Sequence, residues 1–150
     1  MKGQDQLFSS KKHDWQTPKE LFDELRKEFD IQLDACTSGQ NPLDSPFFYA
    51  LDQDNNGLKL NWQTWTFCNP PYIETLDWLH KAWLENIKRN VSSILLLPAR
   101  TDTKWFHSYV WDQRFHRPID GVEIRFIKGR LKFGGSENSA PFPSMLVIIN

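Results

Sequence analysis

Asn69-Pro70-Pro71-Tyr72 is the stretch of this 150-residue sequence whose residue types and spacing could do chemistry most directly. It follows the hydrophobic run Trp65-Thr66-Phe67-Cys68. The two prolines fix φ and lack N–H donors, so the carbonyls around them are rigid and outside any ladder of sheet hydrogen bonds. The side-chain oxygen of Asn69 and the carbonyl of Pro70 then form two fixed acceptors. An exocyclic amino group has two N–H donors to satisfy them, and Tyr72 offers a flat face for stacking. The arrangement suits an amine that must be oriented, and slightly pyramidalised, before its lone pair attacks a methyl group. Asn-Pro and Pro-Pro are also ordinary strand terminators. Placement after a strand and before a helix favours the chemical reading.

The elements that must position this loop follow from periodicity and punctuation. Thr17-Pro18-Lys19-Glu20 predicts a helix start, with Thr17 as N-cap, Pro18 at the first helical position and Glu20 closing a capping box. Leu21, Phe22, Leu25 and Phe29 share one face, which carries the helix to about Asp30. Ile31 to Asp34 reads as a short strand, and residues 37–61 as loop with a short strand at Phe47-Phe48-Tyr49. After the strand at 65–68, a helix is expected from Glu74 to Arg89 with Leu76, Leu79, Trp83 and Ile87 buried. Ser93 to Leu97 is apolar enough for a central strand covered on both faces. Thr101 or Asp102 can cap a helix carrying Trp105, Phe106, Tyr109 and Val110. Val122 to Phe133 reads as a hairpin turning at Lys128-Gly129, and Met145 to Ile149 as the last strand. This order predicts an α/β domain: a mainly parallel sheet, helices on both faces and a late antiparallel hairpin. Ligands in such sheets bind beyond the carboxyl ends of the strands. Asp34–Ser38, Asn69–Tyr72 and Pro98–Asp102 should therefore line one cleft.

The length suits one domain over residues 15–150, preceded by a flexible lead-in over 1–14. No separate target-recognition domain is expected. Cys36 and Cys68 form no disulfide framework and have no metal-ligand spacing around them, so no metal is expected. No transmembrane run or signal peptide is legible, and a cytoplasmic protein is expected. Net charge is −1, but it is unevenly spread. Residues 1–62 hold 7 Lys/Arg against 11 Asp/Glu, whereas residues 100–132 hold 8 against 4. The latter segment is basic enough to face phosphates, although a solvated surface has the same composition.

Five segments in order carry a family resemblance: Trp15-Gln16-Thr17-Pro18, Leu33-Asp34-Ala35-Cys36, Asn69-Pro70-Pro71-Tyr72, Leu97-Pro98-Ala99-Arg100-Thr101-Asp102-Thr103 with Trp105-Phe106, and Gly129-Arg130-Leu131-Lys132-Phe133. In these the chain resembles small phage and prophage DNA adenine methyltransferases of the Dam type. The resemblance implies a Rossmann-like methyltransferase fold, S-adenosylmethionine as cofactor, and methylation of the adenine 6-amino group in double-stranded DNA in a bacterial host cell. It assigns Asn69 and Pro70 to holding the amine, Pro71 to the same catalytic loop, and Tyr72 to stacking on a base flipped out of the duplex.

On the cofactor side the resemblance points to Trp15, Thr17, Pro18, Asp34, Ala35 and Cys36. Asp34 is expected to attract the cofactor's ammonium group, with capping of the next loop as its alternative role. Asp54 or Asp52, ahead of Gly57-Leu58 and Trp62, would close the adenine pocket. The segment after Asp34 departs from the usual pattern, since only Gly39 stands where two or three glycines are common. On the DNA side Arg100, Thr101 and Asp102 follow the central strand, and Arg130 and Lys132 are expected to contact the backbone. Arg100 has an alternative partner in Asp102. A monomer or weak dimer is expected. An RNA base, a protein amide, or a non-catalytic DNA-binding role would use many of the same residues.

Overall fold

Ile94-Leu95-Leu96-Leu97, a continuous apolar run, forms the middle of a six-stranded sheet. The computed structural model describes residues 15–51 and 56–150; the expected lead-in over 1–14 lies outside them, as do Asp52 and Asp54. In chain order the elements are helix α1 (Lys19–Glu28), strands β1 (Leu33–Thr37), β2 (Phe47–Ala50) and β3 (Thr66–Cys68), a 3-10 turn (Tyr72–Glu74), α2 (Thr75–Arg89), β4 (Ser93–Pro98), α3 (Lys104–Tyr109), β5 (Trp111–Asp112), β6 (Arg117–Pro118), β7 (Val122–Phe126) and β8 (Ser144–Ile149). The large sheet has the order β2-β1-β3-β4-β8-β7, and β5 pairs with β6 in a separate ribbon. Strands β2, β1, β3 and β4 are parallel; β8 runs antiparallel between β4 and β7.

Side chains alternate across this sheet, as the pleat requires. Leu95, Leu97, Met145, Val147 and Ile149 face a layer that includes Trp78, Leu79 and Ala82 of α2 and Phe106 of α3. Ile94, Leu96, Leu146 and Ile148 face the other way, against Phe22 and Leu25 of α1 and against Phe133, Ala140 and Phe142. Both faces are covered, which is why β4 and β8 are buried at every position. From β1 the chain goes to one side to make β2, then crosses back to make β3 on the other. The carboxyl ends of β1 and β3 therefore flank the reversal point where open α/β sheets leave a crevice.

Several local expectations need correction. The capping box does not form: α1 starts after Pro18 without a side-chain cap, because the Thr17 hydroxyl is engaged elsewhere. Strand β1 begins two residues later than expected and ends at Thr37. The buried stripe of α2 is Thr75, Trp78, Leu79, Ala82 and Glu85, while Leu76 and Ile87 are 42% and 73% exposed. Two other tryptophan contacts decide that rotation: Trp78 stacks near Trp62, and Trp83 donates to the Tyr109 carbonyl. Thr103, not Thr101 or Asp102, caps α3 by accepting from the Phe106 N–H. The hairpin over 122–133 is not formed either. The antiparallel partner of β7 is β8, and residues 127–143 make a long excursion between them. Burial of Phe133 and Phe142 pins that excursion to the α1 face. The small β5–β6 ribbon was not legible at all.

Candidate active site

Asn69 lies just beyond β3 and is 1% exposed. Its Nδ2 donates to the carbonyl of Trp15 at 2.7 Å and to the Thr17 hydroxyl at 3.0 Å. A carbonyl only accepts, so the amide must present its nitrogen there and its oxygen on the opposite side. That oxygen, Oδ1, is buried and has no hydrogen-bond partner. An unpaired buried acceptor costs about 1–3 kcal/mol, and a ligand with a free N–H would remove the deficit. The Pro70 carbonyl likewise receives no backbone N–H among the described residues. Pro70 and Pro71 are buried, and the Pro71 carbonyl accepts from Glu74 N–H at 2.9 Å, which starts the 3-10 turn. Neither the Asn69 Oδ1 nor the Pro70 carbonyl therefore has a backbone or side-chain donor among the described residues.

Tyr72 is half-buried, with its hydroxyl inside the protein and unpartnered. Burial pushes that hydroxyl's pKa up, so it stays protonated. Its ring meets Phe142 edge-on at 5.4 Å between centroids. Phe142 also meets Trp15 at 5.5 Å and Phe133 at 6.0 Å, and the Arg100 guanidinium sits 5.9 Å from its ring centre. Phe142 therefore joins four segments of the chain, Trp15, Tyr72, Arg100 and Phe133. The sequence reading missed it, although an aromatic between Pro141 and Pro143, just before a strand, is a legible signal. A second tie holds the same region: Gly134 N–H donates to the Gln16 carbonyl at 2.8 Å.

On the other side of the crevice, Asp34 is 1% exposed, with its carboxylate accepting from Cys36 N–H at 3.4 Å. Burial raises its pKa from 3.8 to about 7, with the hydrogen bonds from Cys36 and Thr37 opposing the shift. A narrow cleft lined by Gln16, Thr17, Asp34, Cys36, Thr37 and Ser38 runs beside it. Thr17 thus touches both Asn69 and the Asp34 cleft. Pro18 starts α1, and Ala35 is wholly buried. A side chain at Gly57 would collide with the Ala35 carbonyl, and the Gly57 carbonyl accepts from the Trp62 indole at 2.8 Å. Gly57 can approach β1 this closely only because it has no Cβ. The thiols of Cys36 and Cys68 are held well above their ordinary pKa by burial, which keeps them unreactive.

The residues expected to meet DNA are all exposed: Arg100, Thr101, Asp102, Arg130 and Lys132. Arg100 makes no ion pair with Asp102 and takes the Phe142 ring instead. Thr101 contributes its carbonyl to a hydrogen bond with His107 Nε2 at 2.7 Å. Strand β7 runs in the same sense as β4, so the excursion carrying Arg130 and Lys132 leaves the sheet at the rim that holds Asn69. Among the described residues no group of three His, Cys, Asp or Glu could hold a metal. No helix among them is long and apolar enough to cross a membrane.

Comparison with known proteins gives the family. A protein from Haemophilus phage HP1, described as a DNA N-6-adenine-methyltransferase, is 28% identical over 137 residues, covering 89% of this chain and 76% of the relative. One from Escherichia phage T1 with the same description is 33% identical over 134 residues, covering 82% of this chain and 54% of the relative. The family model described as DNA N-6-adenine-methyltransferase (Dam) matches residues 4–150. The chain belongs to that family of adenine-specific DNA methyltransferases.

Proposed function

We propose that this chain transfers a methyl group from S-adenosylmethionine to the 6-amino group of an adenine flipped out of double-stranded DNA. The observation that carries the reading is the clamped amide of Asn69, whose free Oδ1 is an acceptor awaiting an N–H. With the Pro70 carbonyl it can accept both protons of an exocyclic amine. Holding them draws the nitrogen toward tetrahedral geometry and aims its lone pair out of the base plane. Tyr72 supplies the stacking face. A stacked base pair cannot reach acceptors this deep, so the base must leave the duplex.

The cofactor site is tested by its chemistry. A buried carboxylate held near neutral pKa by desolvation gains most from a neighbouring cation, and the amino-acid end of the cofactor carries one. The Asp34 cleft matches that end in charge, and its open volume of about 10 Å³ would have to widen to admit it. Asp34 would hold the ammonium, Gln16 and Thr17 would face it, and the segment at Gly57 would bound the nucleoside part. When bound, S-adenosylmethionine supplies a methyl group on a sulfonium, a good leaving group. What the chain contributes is position and a water-poor, preorganised set of acceptors. The strand order, with one antiparallel strand inserted beside β4, supports the Rossmann-like methyltransferase reading. Residues 15–150 act as one domain in the bacterial host cytoplasm, as a monomer or weak dimer, with specificity residing in short loops.

The test is transfer of labelled methyl from S-adenosylmethionine to unmethylated DNA, followed by digestion to nucleosides, with RNA and protein run in parallel. Label in 6-methyladenine is expected. Label in RNA or protein alone would replace the substrate, and DNA binding without cofactor binding would make the chain a non-catalytic relative.

A further inference from the structure

We propose that the β5–β6 ribbon is a DNA-contacting element separate from the catalytic rim, seating Arg114 and Arg117 on the phosphate backbone with Phe115 as an apolar wedge between them. The proposal rests on duplex DNA being the substrate. The ribbon is short, but it is built rather than loose. Trp111 pairs with Pro118 and Asp112 with Arg117, leaving residues 113–116 as the tip. The Asp112 carboxylate accepts from the N–H of Arg114 at 2.9 Å and of Phe115 at 3.2 Å, which fixes the turn. His116 closes it in the left-handed region, at φ 52°. The base is anchored by Trp111 stacked on Phe106 at 6.1 Å and by Ile119 N–H donating to the Val110 carbonyl.

At the tip, Phe115 is 58% exposed, and two guanidinium groups lie over its ring, at 5.1 Å for Arg114 and 5.4 Å for Arg117. A lone exposed Phe is unremarkable on a protein surface. Here it organises two cations, so less side-chain freedom is lost when they bind. No acidic residue occurs from Gln113 to Ile119. The nearest carboxylates do not neutralise the tip. Asp112 is engaged by backbone N–H groups, and Asp120 meets Arg117 at 3.4 Å with 92% of its own side chain exposed, a pair that solvent screens. Rigid paired arginines match phosphate oxygens, and an apolar side chain between them matches the wedge by which DNA-bending proteins unstack a base step. Such an element would widen the protein's grip on the duplex beyond the catalytic rim.

The experiment is duplex binding by fluorescence anisotropy across a salt series, with the unaltered chain, Arg114→Gln/Arg117→Gln, and Phe115→Ala. Each released phosphate contact contributes about 0.9 to the slope of log affinity against log salt. The double variant should lose about 1.8 of slope and bind at least about fivefold more weakly. Phe115→Ala should weaken binding at unchanged slope. Single-turnover methyl transfer at saturating DNA should stay within about twofold of the parent for all, because none touches the Asn69 loop. Arg114→Lys/Arg117→Lys should keep the slope, which guards against a folding defect. A double variant with the parent's slope and affinity would overturn the ribbon's role while leaving the proposed function intact. A parent that binds no DNA would overturn both.

Discussion

Asn69 and Arg130 belong to the same rim of the sheet, yet the fold treats them in opposite ways. Asn69 is sealed in, its amide nitrogen tied to Trp15 and Thr17 and its oxygen left without a partner. Arg130 stands in solvent on the long excursion between β7 and β8, beside a glycine with φ 75° and open space around it. The buried site accepts an unsatisfied acceptor, which is costly, in return for directing one bond. The exposed site avoids that cost and gets an interaction that salt screens and that tolerates movement. In the proposed function, chemistry would depend on a few fixed atoms and DNA affinity on several replaceable charges.

The largest effect should come from breaking the fixed side. Asn69→Ala is expected to lower single-turnover methyl transfer by about 10²–10³-fold, the usual loss for one preorganised catalytic hydrogen-bonding group. Cofactor affinity should remain near normal, measured by calorimetry. Tyr72→Ala comes next, with about 1–3 kcal/mol lost from capture of the flipped base. Unchanged DNA affinity and rate would remove Tyr72 from the site.

Asp34 sharpens the comparison through pH. Its folded pKa of about 7 lies above the ordinary 3.8, so the folded state holds this proton more tightly than the unfolded chain. The contribution to stability is full below about pH 4 and is lost as pH rises through about 7. A cationic ligand favours the carboxylate, so cofactor affinity should rise with pH and level off above about 7. Asp34→Asn should flatten both profiles, in melting curves and in binding titrations. The smallest effect belongs to the exposed side. Arg130→Ala or Lys132→Ala should each reduce the salt slope of DNA binding by about 1, without altering transfer at saturating DNA.

What could be seen in the sequence follows the same division. The strand ahead of Asn69, the helix after it and the central run at 93–97 were legible because local patterning and tertiary burial agree there. Periodicity misplaced the buried stripe of α2, since Leu76 and Ile87 look like core residues but the tryptophans at 62 and 78 set the helix's rotation. Thr17 showed a correct capping pattern, yet a contact 52 residues away claimed its hydroxyl. No local rule anticipates that. Phe142 was missed for the same reason: its partners Trp15, Tyr72 and Arg100 come from three distant segments. The loop proposed to do the chemistry was readable, and the contacts that hold it still were not.

The most direct test of the central claim is a double-mutant cycle between Thr17 and Asn69, read as single-turnover methyl transfer at saturating cofactor. If Thr17 works by holding the Asn69 amide with its oxygen toward the target amine, Thr17→Val should slow the native enzyme several-fold. It should then cost nothing further once Asn69 is Ala, because the group it positions is gone. Equal losses in both backgrounds would contradict the account, and would place Thr17 on the cofactor alone with Asn69 oriented by something else.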